Sequence, residues 1–113
     1  MAWLAADRSE IVELDVDLEE AVAACDDALS ALGWVVTGRE EGRVSAYEDP
    51  IGLSCKTTPS SLEIQLNPWS VDRTAVTVEL SAPGIGPAPA RRAERQVQAL
   101  AARIQGAGPA SQP

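Results

Sequence analysis

Cys25, Cys55 and the single Lys56 are the side chains best suited to nucleophilic chemistry in a 113-residue chain that has no histidine. The missing imidazole removes the commonest general base, triad partner and zinc ligand. Lys56 beside Cys55 would favour the thiolate. No base or oxyanion signature accompanies the pair, however, and neither cysteine belongs to a CxxC. Cys25 falls on an apolar helical stripe, where a thiol acts as a small hydrophobe. A Cys25–Cys55 bridge stays open as an alternative and would require that helix to cross over the strand carrying Cys55. The carboxylate pairs Asp15/Asp17 and Asp26/Asp27 have no other ligand type nearby, so capping and solvation account for them. Gly84-Ile85-Gly86 invites a phosphate-loop reading, but Pro87 and Pro89 remove amides that would cradle an anion, and no third glycine follows. From these residues no catalytic residue, metal or cofactor is expected, and the chain reads as a non-enzyme.

The less ordinary residues point to contact with another molecule. Trp69 lies in a turn, where it either anchors a partner or folds back over the core. Arg43, Tyr47, Glu63, Gln65 and Glu79 are expected together on one polar sheet face, with Glu13, Asp15, Lys56 and Thr77. Such a face suits solvent or a polar subunit contact better than an apolar ligand.

Positioning those residues falls to a hairpin. Leu62, Ile64 and Leu66 alternate with Glu63 and Gln65, and Val76, Val78 and Leu80 alternate with Thr77 and Glu79. Period-two alternation in neighbouring runs joined by Pro68–Asp72 predicts two antiparallel strands with one dry face. A first strand is predicted over Glu10–Val16. Asp17 then caps a helix, with Glu20 at capping-box spacing. Leu18, Val22, Cys25, Leu29 and Leu32 form its stripe, and Gly33 ends it. Further strands are predicted at Trp34–Gly38, Arg43–Glu48 and Ile51–Thr57. Ala82–Pro89 reads as a linker. Ala90, Ala93, Val97, Leu100 and Ile104 then step 3, 4, 3, 4, the spacing of an amphipathic helix.

These elements define an α+β fold: a two-layer sandwich with a mostly antiparallel sheet of five to six strands and two helices on one face, in the order β-α-β-β-β-β-β-α. Residues 10–105 form the expected single domain, with an N-terminal segment over 1–9 and a flexible tail over 106–113. With hydrophobic content of 45% and no Phe, the core must be aliphatic. Net charge is −8, and residues 1–27 carry all of that excess, with nine acids against Arg8 alone. An acidic chain is repelled by phosphate backbones and anionic lipid, so neither nucleic acid nor membrane is an expected partner. Met1–Ala6 lacks the basic and apolar regions of a signal peptide, which with only two cysteines and no CxxC suggests a cytoplasmic protein.

In its order of elements the chain resembles a broad, functionally uncharacterised bacterial group of small β-α-β(meander)-α domains. The resembling pieces are Val12-Glu13-Leu14-Asp15-Val16, Ala31-Leu32-Gly33-Trp34-Val35-Val36, Gly42-Arg43-Val44-Ser45-Ala46 and Arg73-Thr74-Ala75-Val76-Thr77-Val78. Where that group carries Ser-Trp-Gly and Asp-Trp-Gly-Lys, this chain has Ser54-Cys55-Lys56 and Pro87-Ala88-Pro89-Ala90, so no site residue is carried over. The opening strand and helix also resemble the start of the helix-grip (START/Bet v 1-like) fold, which implies holding an apolar ligand, although the chain is short for such a cavity. The function expected is a non-catalytic interaction domain for an unknown protein partner, a homodimer being one form. The alternative is a small apolar-ligand binder with a slot between the last helix and the sheet.

Overall fold

Branched aliphatic residues at every second position fit a pleated surface with one dry side, and the hairpin forms as the alternation requires. The structure is a computed structural model that describes residues 5–51, 58–84 and 86–107. Its elements are β1 (Ala5–Leu14), α1 (Leu18–Ala31), β2 (Trp34–Glu40), β3 (Arg43–Glu48), β4 (Ser61–Ser70), β5 (Arg73–Pro83) and α2 (Pro87–Ala107). The strands make one sheet in the order β1-β5-β4-β3-β2, every neighbouring pair antiparallel. Leu62, Ile64, Leu66, Val76, Val78 and Leu80 are all buried on its inner face. Burial of such side chains contributes about 1.5–3 kcal/mol each.

Both helices cover that face, α2 against β1 and β5, and α1 against β2, β4 and β5. Asp17 caps α1 by accepting a 2.8 Å hydrogen bond from the Glu20 amide. Gly33 follows the helix at φ +81°, a conformation that a Cβ disfavours. The face of α1 turned inward differs from the predicted stripe. Ala21, Ala24, Cys25, Ala28 and Leu29 are buried, Leu18 and Val22 are half-buried, and Leu32 is exposed. Alanines let the helix backbone approach the sheet and α2 closely, so they occupy the contact and the larger side chains flank it. On α2 the predicted stripe holds, with Ala93, Val97, Leu100 and Ile104 buried and Ala90 half-buried.

Several boundaries move. β1 begins at Ala5 rather than Glu10, because Ala5–Ser9 continue the ladder opposite Glu79–Pro83. α2 begins at Pro87 rather than Ala90, since a proline in the first turn lacks only an N–H that has no intrahelical partner there. Of the strand predicted over Ile51–Thr57, Ile51 lies in an exposed turn, and the remainder, including Cys55 and Lys56, falls outside the described residues. Among the described residues, no helix is long and apolar enough to cross a membrane.

Candidate functional site

The outer face gathers five of the six residues singled out above. Strand register carries Ser9, Glu79, Glu63 and Ser45 across the sheet in one row, and Asp7, Ser81, Ser61 and Tyr47 in the next. Arg43 lies opposite Gln65. Glu63 and Glu79 face one another directly, an unfavourable like-charge pair. Arg43 offsets part of this, its Nε lying 3.2 Å from Glu63 Oε2. Asp7, Ser9, Ser61, Glu63, Glu79 and Ser81 line an open trough of about 510 Å³. Trp69 stands apart from this group. It occupies the bulge in the β4–β5 hairpin at 62% exposure, and Val71 in the adjoining turn is 88% exposed. The tryptophan therefore does not fold back over the core.

Cys25 is a free thiol sealed between α1 and the sheet, and burial, with Asp26 beside it, pushes its pKa from 9.0 to about 12. Such a thiol is inert as a nucleophile. Among the described residues, no group of three or more Cys, Asp and Glu side chains is placed to hold a metal ion.

A second polar group lies on the inner face, where the sequence reading expected only hydrocarbon. On β3 the inward positions are Val44, Ala46 and then Glu48, and the inward column of β4 is preceded by Ser60. Glu48 and Ser60 bind one another through their backbones, the Glu48 amide donating to the Ser60 carbonyl at 2.9 Å. The Ser60 amide donates back to Glu48 Oε1 at 3.2 Å. From α2, Arg92 forms an ion pair with Glu48 and donates to the Thr58 carbonyl at 3.2 Å. Gln96, one turn further on, accepts a 2.8 Å hydrogen bond from the fully buried Ser60 hydroxyl.

The Glu48 and Arg92 side chains are only 21% and 20% exposed, well below the other ion pairs among the described residues. This cluster closes one end of the α2–sheet contact. A signal for it exists in the sequence, since Glu48 continues the phase of Val44 and Ala46. Arg92 and Gln96 each precede a stripe residue, Ala93 and Val97, by one position.

An antiparallel sheet whose apolar face holds a long C-terminal helix, with a shorter helix beside it, defines a helix-grip α+β domain. No protein-family model matches the chain, and no curated protein matches it in sequence. Solved structures match at the level of fold. A START superfamily protein from Mycobacterium smegmatis aligns at a TM-score of 0.65 and 14% identity, covering 88% of this chain and 94% of that one. The Ara h 8.0201 structure aligns at 0.53 and 11%, covering 90% and 96%. The ZhuI aromatase/cyclase from Streptomyces sp. R1128 aligns at 0.50 and 10%, covering 90% and 94%. These matches support a likeness of fold alone, to a START superfamily structure, in line with the helix-grip resemblance of the opening strand and helix; none of them is the bacterial meander group.

Proposed function

We propose that this chain is a binding domain that holds a small, largely aliphatic ligand between α2 and the inner face of the sheet. The observation that carries the reading is the make-up of that contact. Ala93, Val97, Leu100, Ala101 and Ile104 of α2 pack on β1 and β5, whose inward side chains are Val12, Leu14, Val76, Val78 and Leu80, and these side chains are all aliphatic. A surface of this kind offers dispersion and water exclusion to a ligand and few directed contacts. The contact is close-packed here, so entry requires α2 to lift from the sheet. Gly84 and Gly86, at φ +127° and +97°, stand at the joint where such movement begins. The fold likeness to a START superfamily protein supports the same reading.

A neutral fluorescent probe, N-phenyl-1-naphthylamine, tests it. Saturable enhancement, competed by aliphatic alcohols, is the expected result, with a melting temperature that rises with ligand concentration. A linear, non-competed signal with no rise in melting temperature would remove the reading. A second reading, a protein-interaction domain, is favoured by the 62% exposure of Trp69 at the hairpin, since an exposed tryptophan is a strong anchor for a partner.

A further inference from the structure

A long strand at the edge of a sheet presents a row of unpaired N–H and C=O groups and invites another strand. Among the described residues β1 is such an edge: β5 pairs with one side of it and no strand with the other. Arg8 and Glu10 share the inward phase of Val12 and Leu14, yet both are exposed, and Asp7, Ser9 and Ile11 on the outward phase are exposed as well. We infer that the open edge of β1 pairs antiparallel with the same edge of a second copy, Ser9 lying on the twofold axis, so that the two sheets become one. This surface stands apart from the ligand contact, which lies beneath α2 on the inner face.

The backbone on this edge is free to bond. Pro83, opposite Ala5, has no N–H, so these two residues cannot exchange the paired hydrogen bonds of an antiparallel ladder. Ala5 therefore turns its N–H and C=O away from β5, and Asp7, Ser9 and Ile11 at the same phase do likewise. The Asp7 carbonyl agrees with this, since it accepts a 2.8 Å hydrogen bond from Arg8 Nη1. A second lone pair remains on it for a partner strand. With Ser9 on the axis, Ser9 meets its own copy and Asp7 meets Ile11 of the second copy, each pair exchanging both N–H···O bonds.

Charge selects the register. In this alignment Arg8 stands directly opposite Glu10 of the second copy, and Glu10 opposite Arg8, while Glu13 faces Ala5. Opposite charges at facing positions stabilise a strand pair, and like charges destabilise it. Moving the axis to Glu10 would set Glu10 against itself and Asp7 against Glu13. Moving it to Arg8 would set Arg8 against itself. Either shift loses both attractive pairs. The Glu10 carboxylate has no ion pair among the described residues, and Arg8 is already drawn to the edge by its bond to the Asp7 carbonyl. The charges that keep unrelated strands off this edge thus admit one strand, its own, in one register.

Sedimentation equilibrium of the full chain between about 1 and about 500 μM tests this, and a monomer–dimer isotherm is expected. Arg8→Glu and Glu10→Arg each set like charges opposite one another twice per dimer, so each alone should weaken association about tenfold or more. An equimolar mixture of the two variants restores both opposite-charge pairs and should associate about as tightly as the unaltered chain. Loss of the Arg8–Glu94 contact within one chain could not give that rescue. A monomer throughout the range overturns the inference, as does a mixture no tighter than either variant alone. So does a dimer that neither reversal weakens; if Trp69→Ala abolishes that dimer, the contact lies on the hairpin instead. Should a variant lose its cooperative melt, amide exchange on the unaltered chain decides. The Ser9 and Ile11 amides should slow as concentration rises while those of Arg8 and Glu10, bonded to β5, do not change, and exchange at Ser9 and Ile11 that ignores concentration overturns the pairing.

Discussion

Cys25 shows how burial alone redirects a reactive residue. Its thiol lies in the contact between α1 and the sheet, where an ion has little solvation, and the nearby Asp26 carboxylate further disfavours a thiolate. The folded chain therefore holds the Cys25 proton up to about pH 12, whereas the unfolded chain releases it near 9.0. Below that lower value both states carry the proton, and the residue contributes no dependence on pH. Between pH 9.0 and about 12 the unfolded state binds fewer protons, so stability falls as pH rises. Cys25→Ala removes this contribution along with some packing. Its melting temperature should start lower than that of the parent yet decline less steeply across the alkaline range. Parallel declines for the two proteins, followed by circular dichroism, would sink the assignment. Cys55 is common to both proteins and cancels.

At the scale of elements, what was legible followed from how directly each residue pattern maps onto geometry. The β4–β5 hairpin could be read because a period of two assigns each side chain to a face without reference to any other part of the chain. The α2 stripe could be read for the matching reason at helical period. The buried face of α1 could not be read correctly, because Ala21, Ala24 and Ala28 carry a weak hydrophobic signal. Their selection depends on how near a second layer comes, which is a tertiary fact. The inner polar cluster was missed for a related reason. Glu48 reads as the end of a strand, and the arginine that makes its inward position tolerable, Arg92, lies 44 residues away on α2.

Position within the hairpin also determines what a substitution does. Leu66 is buried and Trp69 is exposed on the same strand. Leu66→Ala is expected to cost about 2–5 kcal/mol in urea unfolding. Trp69→Ala should change stability by no more than about 0.5 kcal/mol. If Trp69 anchors a partner, its removal abolishes concentration-dependent association in sedimentation without altering the unfolding midpoint. Loss of stability comparable to Leu66→Ala would mean that the indole packs on the protein's own surface instead.

At the scale of the whole molecule, the charge of −8 and the ion pairs that join separate elements act in opposite senses. Arg8–Glu94 ties β1 to α2, Arg39–Asp26 ties β2 to α1, and Arg103–Asp27 ties the two helices together, at 3.2, 2.7 and 3.7 Å. All three are well exposed, so each is worth about 0–1 kcal/mol. The surplus acids of residues 1–27 repel one another over longer distances, and a Cα radius of gyration of 14.2 Å confines them closely. At roughly 0.01 M salt the Debye length is about 30 Å, so every acid feels the others; at roughly 0.15 M it is about 8 Å, and mainly close pairs interact. Added salt therefore weakens a long-range repulsion that is spread over the molecule more than it weakens a few contact pairs. The melting temperature is expected to rise between these two salt concentrations and then level off. Arg8→Gln and Arg103→Gln should each cost less than about 1 kcal/mol, with the difference shrinking as salt is added. A melting temperature that falls steadily with sodium chloride would mean that the cross-element pairs outweigh the net charge, and the two arginine variants would then show losses well above that range at low salt.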